Sequence, residues 1–114
     1  MSVNEKFSAL RKGLLEFVVL QIISAEKVYA ADILQQLSGT EFTTQEGTLY
    51  PLLSKMRRDG LLDYEWKESE AGPPRKYYAL TPKGQEQLQE TLEYWDQLNV
   101  TVKKLGKKIN RSES

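Results

Sequence analysis

The chain has 114 residues, 39% of them hydrophobic and 28% charged, with 16 basic side chains balancing 16 acidic ones. That length suits one domain with an appended helix, and the composition is that of a chain able to fold around a core. Cysteine and histidine are absent, which excludes disulfides, thiolate nucleophiles, imidazole acid–base chemistry and almost every zinc site.

No cofactor or metal is therefore expected. No run approaches the ~18 uninterrupted apolar residues of a membrane span. The first apolar stretch follows Glu5 and Lys6, contains Arg11 and Lys12 and lacks a small-residue cleavage site. No signal peptide is expected, and the cytoplasm is the default compartment. Because the chain is neutral, any nucleic-acid surface must be a local patch.

From Phe7 to Ile23 the sequence is densely apolar and has no proline, which predicts a helix buried on more than one side. One side can face the domain core; the other needs a partner. A second helix is predicted over Val28–Leu37, with Tyr29, Ile33, Leu34 and Leu37 inward and Ser38-Gly39 as its stop. A third opens at Thr43-Thr44-Gln45-Glu46, where Thr43 and Glu46 have capping-box spacing. Its apolar stripe is Leu49, Leu52, Leu53 and Met56, and Asp59-Gly60 ends it. Pro51 falls inside this helix and crowds the carbonyl of Gly47, so one locally bent helix is expected.

Leu62, Tyr64 and Trp66 alternate with charged residues, the period of a half-buried strand. Ala71-Gly72-Pro73-Pro74 reads as a hairpin tip, and Arg75–Leu80 as the returning strand with Tyr78 and Leu80 inward. Thr81-Pro82 is a cap followed by proline at the first helical position. The last helix carries Leu88, Leu92, Trp95, Leu98, Val102, Leu105 and Ile109 at spacings of three and four. Running to Ile109 it would be about 40 Å long at ~1.5 Å per residue, more than a small domain can cover. The expected organisation is a DNA-binding domain over residues 1–81, a dimerisation helix over 82–109 and a disordered tail over 110–114.

Three helices, a hairpin and a long helix make a mainly α, α+β fold: a winged helix-turn-helix with a two-stranded β-wing and a long C-terminal dimerisation helix. The third helix is then the one that enters the major groove. Turning about 100° per residue away from its apolar stripe, the outward face holds Thr44, Gly47, Thr48, Pro51, Ser54, Lys55 and Arg58, with Tyr50 on the flank. Hydroxyls can reach base edges, Lys55 and Arg58 can reach phosphates, and Gly47 lets the backbone approach. Arg75 and Lys76 on the wing suit a phosphate backbone. Any solvated helix face carries such residues, so the wing is what tips the balance towards duplex DNA.

The segments Gly47-Thr48-Leu49-Tyr50-Pro51-Leu52-Leu53, Asp59-Gly60-Leu61 and Gly72-Pro73-Pro74-Arg75-Lys76-Tyr77-Tyr78-Ala79-Leu80-Thr81 resemble the PadR family of bacterial transcriptional regulators. The resemblance runs from about residue 10 to residue 105, and the order and spacing of these segments are highly specific. It implies a winged-helix domain, a C-terminal helical dimerisation element and gene regulation, usually repression; the chain is similar to the short members with one C-terminal helix. Helix two departs from the family pattern, with Tyr29-Ala30-Ala31-Asp32-Ile33 in place of a more glycine-containing stretch.

A homodimer also follows from the residues. Leu88, Leu92, Trp95, Leu98, Val102 and Leu105 form a stripe without an internal partner, as does the outer face of helix one. Pairing two copies would cover both and present two recognition helices to a palindromic operator. Two symmetry-related Trp95 indoles, with Leu10, Gly13, Leu14 and Phe17 nearby and Asp96 and Asn99 as polar groups, form a candidate site for a small aromatic effector. The alternative there is that Trp95 simply fills the seam. Glu86, Glu90, Glu93 and Asp96 read as a solvated helix flank rather than a catalytic set, so no enzyme is expected. The alternative function is a winged-helix protein–protein interaction module; it predicts an apolar or acidic wing, which Arg75 and Lys76 oppose.

Overall fold

The computed structural model describes residues 3–106. Its elements are α1 (Val3–Lys6), α2 (Ser8–Ala25), β1 (Val28–Tyr29), α3 (Ala30–Leu37), α4 (Glu46–Arg58), β2 (Leu62–Ser69), β3 (Gly72–Leu80) and α5 (Pro82–Leu105). This is a helix-rich α+β winged helix-turn-helix. The expected helix end at Ile109 and the expected disordered tail at 110–114 lie outside the described residues.

The core assembles from the helical apolar stripes. Val19, Leu20 and Ile23 of α2 meet Ile33 and Leu37 of α3 and Leu49, Leu53 and Met56 of α4, with Leu62 and Tyr78 of the sheet closing one side. Among the described residues no polar or charged side chain is buried, so the interior carries no uncompensated charge. Gly39 and Gly60 both adopt φ of 81°; this left-handed conformation, which glycine takes without a Cβ penalty, is what ends α3 and α4 sharply.

The helix expected over Val28–Leu37 starts later. Val28 and Tyr29 instead pair with Tyr78 and Tyr77 of β3, making a three-stranded sheet of order β1-β3-β2 rather than an isolated two-stranded wing. The Asp32 carboxylate accepts the Tyr29 N–H at 3.0 Å and holds Tyr29 in extended backbone just outside the helix, so its ring does not lie on the inner helical face. The expected capping box at Thr43 and Glu46 does not form: Gln45 is the N-cap of α4, without a side-chain bond. Thr43 N–H donates to the Thr40 carbonyl, and Thr40 Oγ1 bonds Leu37 O and accepts from Phe42 N. The threonine chemistry closes the turn instead of opening the helix. Pro51 sits within one continuous α4, as its pairing with the adaptable Gly47 predicted.

The wing hairpin also turns earlier than its prolines suggested. Ser69 pairs with Gly72, leaving Glu70 and Ala71 as the turn, and Pro73 and Pro74 lie within β3. The register shifts between Lys67 and Ser69. Proline lacks the N–H a regular ladder needs, and β1 pairs only further along β3, so a bulge there sacrifices little.

One junction sets the course of α5. Thr81 Oγ1 accepts the Gly84 N–H at 2.9 Å and donates to the Gly60 carbonyl at 2.6 Å, while Thr81 N–H donates to Leu61 O at 3.0 Å. Gly84 lies so close to this turn that a Cβ would collide with the Leu61 carbonyl. From there α5 lays Leu88 in the core and Leu92 against it. These two residues, expected on a free dimer seam, thus belong to packing within the chain. The seam lacks a partner only further on: Leu98 is 39% exposed and Leu105 74%. The chain is 58 Å along its longest axis and 22 Å along its shortest.

Gly84→Ala should therefore destabilise the fold by roughly 1–3 kcal/mol or more, as overpacking against backbone does. Thr81→Ala should cost about 1 kcal/mol through the lost cap. Urea unfolding measures both. A stabilised Gly84→Ala variant, the normal outcome in an open helix interior, would contradict this seating.

Candidate nucleic-acid interface

With Leu49, Leu53 and Met56 turned into the core, α4 presents three strips to its surroundings. Gly47, Pro51, Ser54 and Arg58 point outward and are exposed. Tyr50 and Arg57 form the flank towards the wing. Thr48 and Lys55 form the flank towards α2. Thr48 borders a shallow hollow with Arg11 and Lys12. Thr44 borders the same hollow from the connection before α4 and is half-buried, so it is not on the helix itself.

The two cations picked out on α4 have different surroundings. Lys55 Nζ lies 3.0 Å from Asp59 Oδ2 and 3.4 Å from Glu16 Oε1 of α2. The hydrogen bond to Asp59, reinforced by the Glu16 charge, holds the ammonium above the usual lysine range. Its charge is thus neutralised within the chain. Arg58 has no ion-pair partner among the described residues. Arg57, which sequence reasoning did not single out, stands 4.6 Å over the Tyr64 ring and 3.7 Å from Asp63.

Between α4, the start of α3 and the wing lies an open cleft of about 470 Å3, with Tyr50 and Ser54 on one wall and Trp66, Lys76 and Tyr78 on the other. A hollow of about 180 Å3 bordered by Arg58 shares Ser54, Lys76 and Tyr78 with it. Strand alternation puts Tyr64, Trp66, Lys76 and Tyr78 on one face of the hairpin. Lys76 Nζ sits 4.6 Å from the Tyr64 ring centre and 5.6 Å from that of Trp66. Arg75, on the alternate face, places its guanidinium 4.1 Å over the Tyr29 ring at the cleft edge. Burial pushes the Tyr78 phenol above its ordinary range, so Lys76 is the charged group on this wall at neutral pH. The structure brings Tyr50, Ser54, Arg75 and Lys76 around one cleft, with Arg58 on the adjoining hollow, and sets Thr44, Thr48 and Lys55 on the opposite side of α4.

Tyr29 and Trp66 are additions to the residues expected from sequence. The Trp66 signal was present in its alternation with Tyr64; Tyr29 needed the β1–β3 pairing, which no local pattern announces.

The residues expected around an effector are partly assembled within one chain. The Trp95 and Phe17 rings stand 6.2 Å apart, and with Leu14 they border a hollow of about 240 Å3. Leu10 is 60% exposed, Gly13 has open space around it, and Asp96 is exposed. Asn99 Nδ2 donates one hydrogen bond to the Trp95 carbonyl at 3.0 Å, which leaves its Oδ1 and second N–H for other partners. Among the described residues no cluster of acidic side chains could hold a metal ion, and no helix is long and apolar enough to cross a membrane.

The model of the transcriptional regulator PadR-like family matches residues 19–90. A PadR-like transcription factor from Bacteroides fragilis is 46% identical, with 89% of this chain and 98% of that one covered at a TM-score of 0.77. A PadR-like transcriptional regulator from Bacillus cereus is 43% identical, over 82% of this chain and 92% of the other, with a TM-score of 0.73. A transcriptional regulator of Mycobacterium tuberculosis is 35% identical over 72 residues, 63% of this chain and 66% of that protein.

The Lys55 network has a signature in alkaline solution. A folded-state pKa raised above 10.5 contributes stability that is complete below that ordinary value and disappears as pH rises through the folded one. In an NMR titration the Lys55 side chain should deprotonate above the ordinary lysine value of 10.5, and Asp59→Asn should lower its midpoint. Identical titration in both proteins would show that the ion pair does not hold in solution.

Proposed function

The chain belongs to the PadR-like family of transcriptional regulators, whose members bind DNA and are not enzymes; from that premise we propose that it is a repressor binding a palindromic operator as a homodimer. In this reading α4 enters the major groove, with Ser54 and Thr48 reaching base edges, while the β2–β3 wing follows the phosphate backbone. The observation that carries it is the polarity of α4. On a chain with no net charge, Lys55 on the flank against α2 is neutralised by Glu16 and Asp59. The outward face and wing flank keep Arg58, Arg75 and Lys76 around the open cleft and its adjoining hollow. Lys55, selected from sequence as a phosphate contact, has the weakest claim to that role.

Dimerisation is proposed on the apolar face that the chain does not cover. Leu98, Val102 and Leu105 continue the α5 stripe beyond the domain, and Phe7 and Leu10 of the α2 end are exposed too. Covering such a face with a second copy is the ordinary way to remove it from water. A flat aromatic effector lodged beside Trp95 would release DNA if it favoured a dimer with differently spaced α4 helices.

Replacing Arg58 or Lys76 with Ala removes two phosphate contacts per dimer, so each should lower the salt slope of log K by about two units and weaken binding to all sequences alike. Lys55→Ala should change the slope little. Ser54→Ala or Thr48→Ala should cost roughly 1–3 kcal/mol at a single base pair if that residue makes a good base contact. Slopes unchanged in both Arg58→Ala and Lys76→Ala would overturn this orientation of the domain on DNA. Leu98→Asp should give a monomer that no longer holds the operator. A wild-type chain sedimenting as a stable monomer at micromolar concentration would overturn the dimer.

A further inference from the structure

Trp66 is 61% exposed, although it shares its side of the hairpin with Tyr64 and Tyr78, which are covered by the domain. A solvated indole in mid-strand leaves a large apolar surface in water. The ring is nonetheless held in place. Tyr64 meets it edge-on at 5.8 Å and 86°, and the Lys76 ammonium lies 5.6 Å from its centre. The result is a fixed, half-open aromatic platform facing Tyr50 and Ser54 across the cleft.

The charges beside it narrow what can occupy the cleft. Neither Lys76 nor Arg75 has a carboxylate partner among the described residues; each rests on aromatic rings. A π contact holds a cation in position without cancelling its charge, so both remain available to an anion. The occupant must therefore place a negative group next to an apolar surface. It must also continue towards Arg58 and Ser54 on the outward side of α4. The sugar–phosphate strand of a duplex has this alternation at every nucleotide.

We infer that Trp66 is a DNA-contact residue on whose indole one deoxyribose of the backbone rests, with Lys76 taking the adjoining phosphate. The inference rests on the DNA-binding reading above and adds to it an apolar contact that the basic residues do not supply. Electrostatic and apolar contacts separate under salt, because only neutralised phosphates release counterions. Trp66→Ala should weaken binding roughly three- to tenfold for each of the two half-sites, the range of one aromatic contact apiece, at every salt concentration and on every sequence. The slope should stay that of wild type, whereas Lys76→Ala lowers it.

The test uses the full chain and a mixed-sequence duplex long enough for two half-sites. Binding is followed by the anisotropy of a labelled duplex, and tryptophan emission and acrylamide quenching are measured with unlabelled duplex. The chain has two tryptophans, so wild type is compared with Trp66→Phe. DNA should shield part of the wild-type emission from acrylamide, and that part should be missing in Trp66→Phe. Circular dichroism checks that Trp66→Ala is folded. If the duplex binds but the DNA-dependent emission is the same in wild type and Trp66→Phe, and Trp66→Ala binds like wild type, the inference is overturned while the DNA reading stands. If wild type does not bind the duplex even at low salt, both fall.

Discussion

The arrangement of this molecule depends on the fit of α5 against the turn at Gly60 and Leu61. Three bonds converge there through Thr81, and the absence of a side chain at Gly84 lets the new helix touch the backbone of that turn. The turn is also the end of α4 and the root of β2. A single close contact thus fixes the direction of α5, the end of α4 and the base of the wing together. If two copies pair through α5, the distance between their α4 helices is set by this joint, and a ligand that alters the pairing acts on that distance.

Charge is organised around the same helix. A neutral chain gains no long-range pull on DNA from its total charge, so placement matters. The α2 side of α4 is internally paired through Lys55, Glu16 and Asp59. This braces α4 against α2 and cancels the Lys55 charge locally. The wing side holds its cations against rings. Exposed pairs such as these add little stability; their importance is that they take Lys55 out of the set of free cations on α4.

Much of this was legible in the sequence because the signals were local. The apolar spacing of Leu49, Leu53 and Met56, the Thr81-Pro82 start and the glycines at 39 and 60 gave the helices and their ends. The winged-helix order followed from the alternation of Leu62, Tyr64 and Trp66. What escaped depends on contacts far apart in the chain. Val28 and Tyr29 become a strand only because Tyr77 and Tyr78 lie beside them. Lys55 is a different case: Asp59 stands one helical turn on, a local signal that was overlooked, and only its second partner, Glu16, is 39 residues away. Leu88 looked like seam because its packing against the core depends on how Gly84 seats the helix. Thr43 was read as a cap because its spacing to Glu46 suited one, while Thr40 had already committed the turn to another geometry.

DNA is proposed to meet α4 and the wing cleft, and not α5 or the outer face of α2. Amide chemical-shift mapping of the isotope-labelled protein, titrated with duplex, tests it most directly. Perturbations should concentrate at Gly47, Ser54 and Arg58 and along Trp66 and Arg75–Lys76, with the amides of Glu16 and the Leu98–Leu105 stretch little changed. Perturbations centred on α5 or the outer face of α2, with α4 and the wing silent, would contradict it.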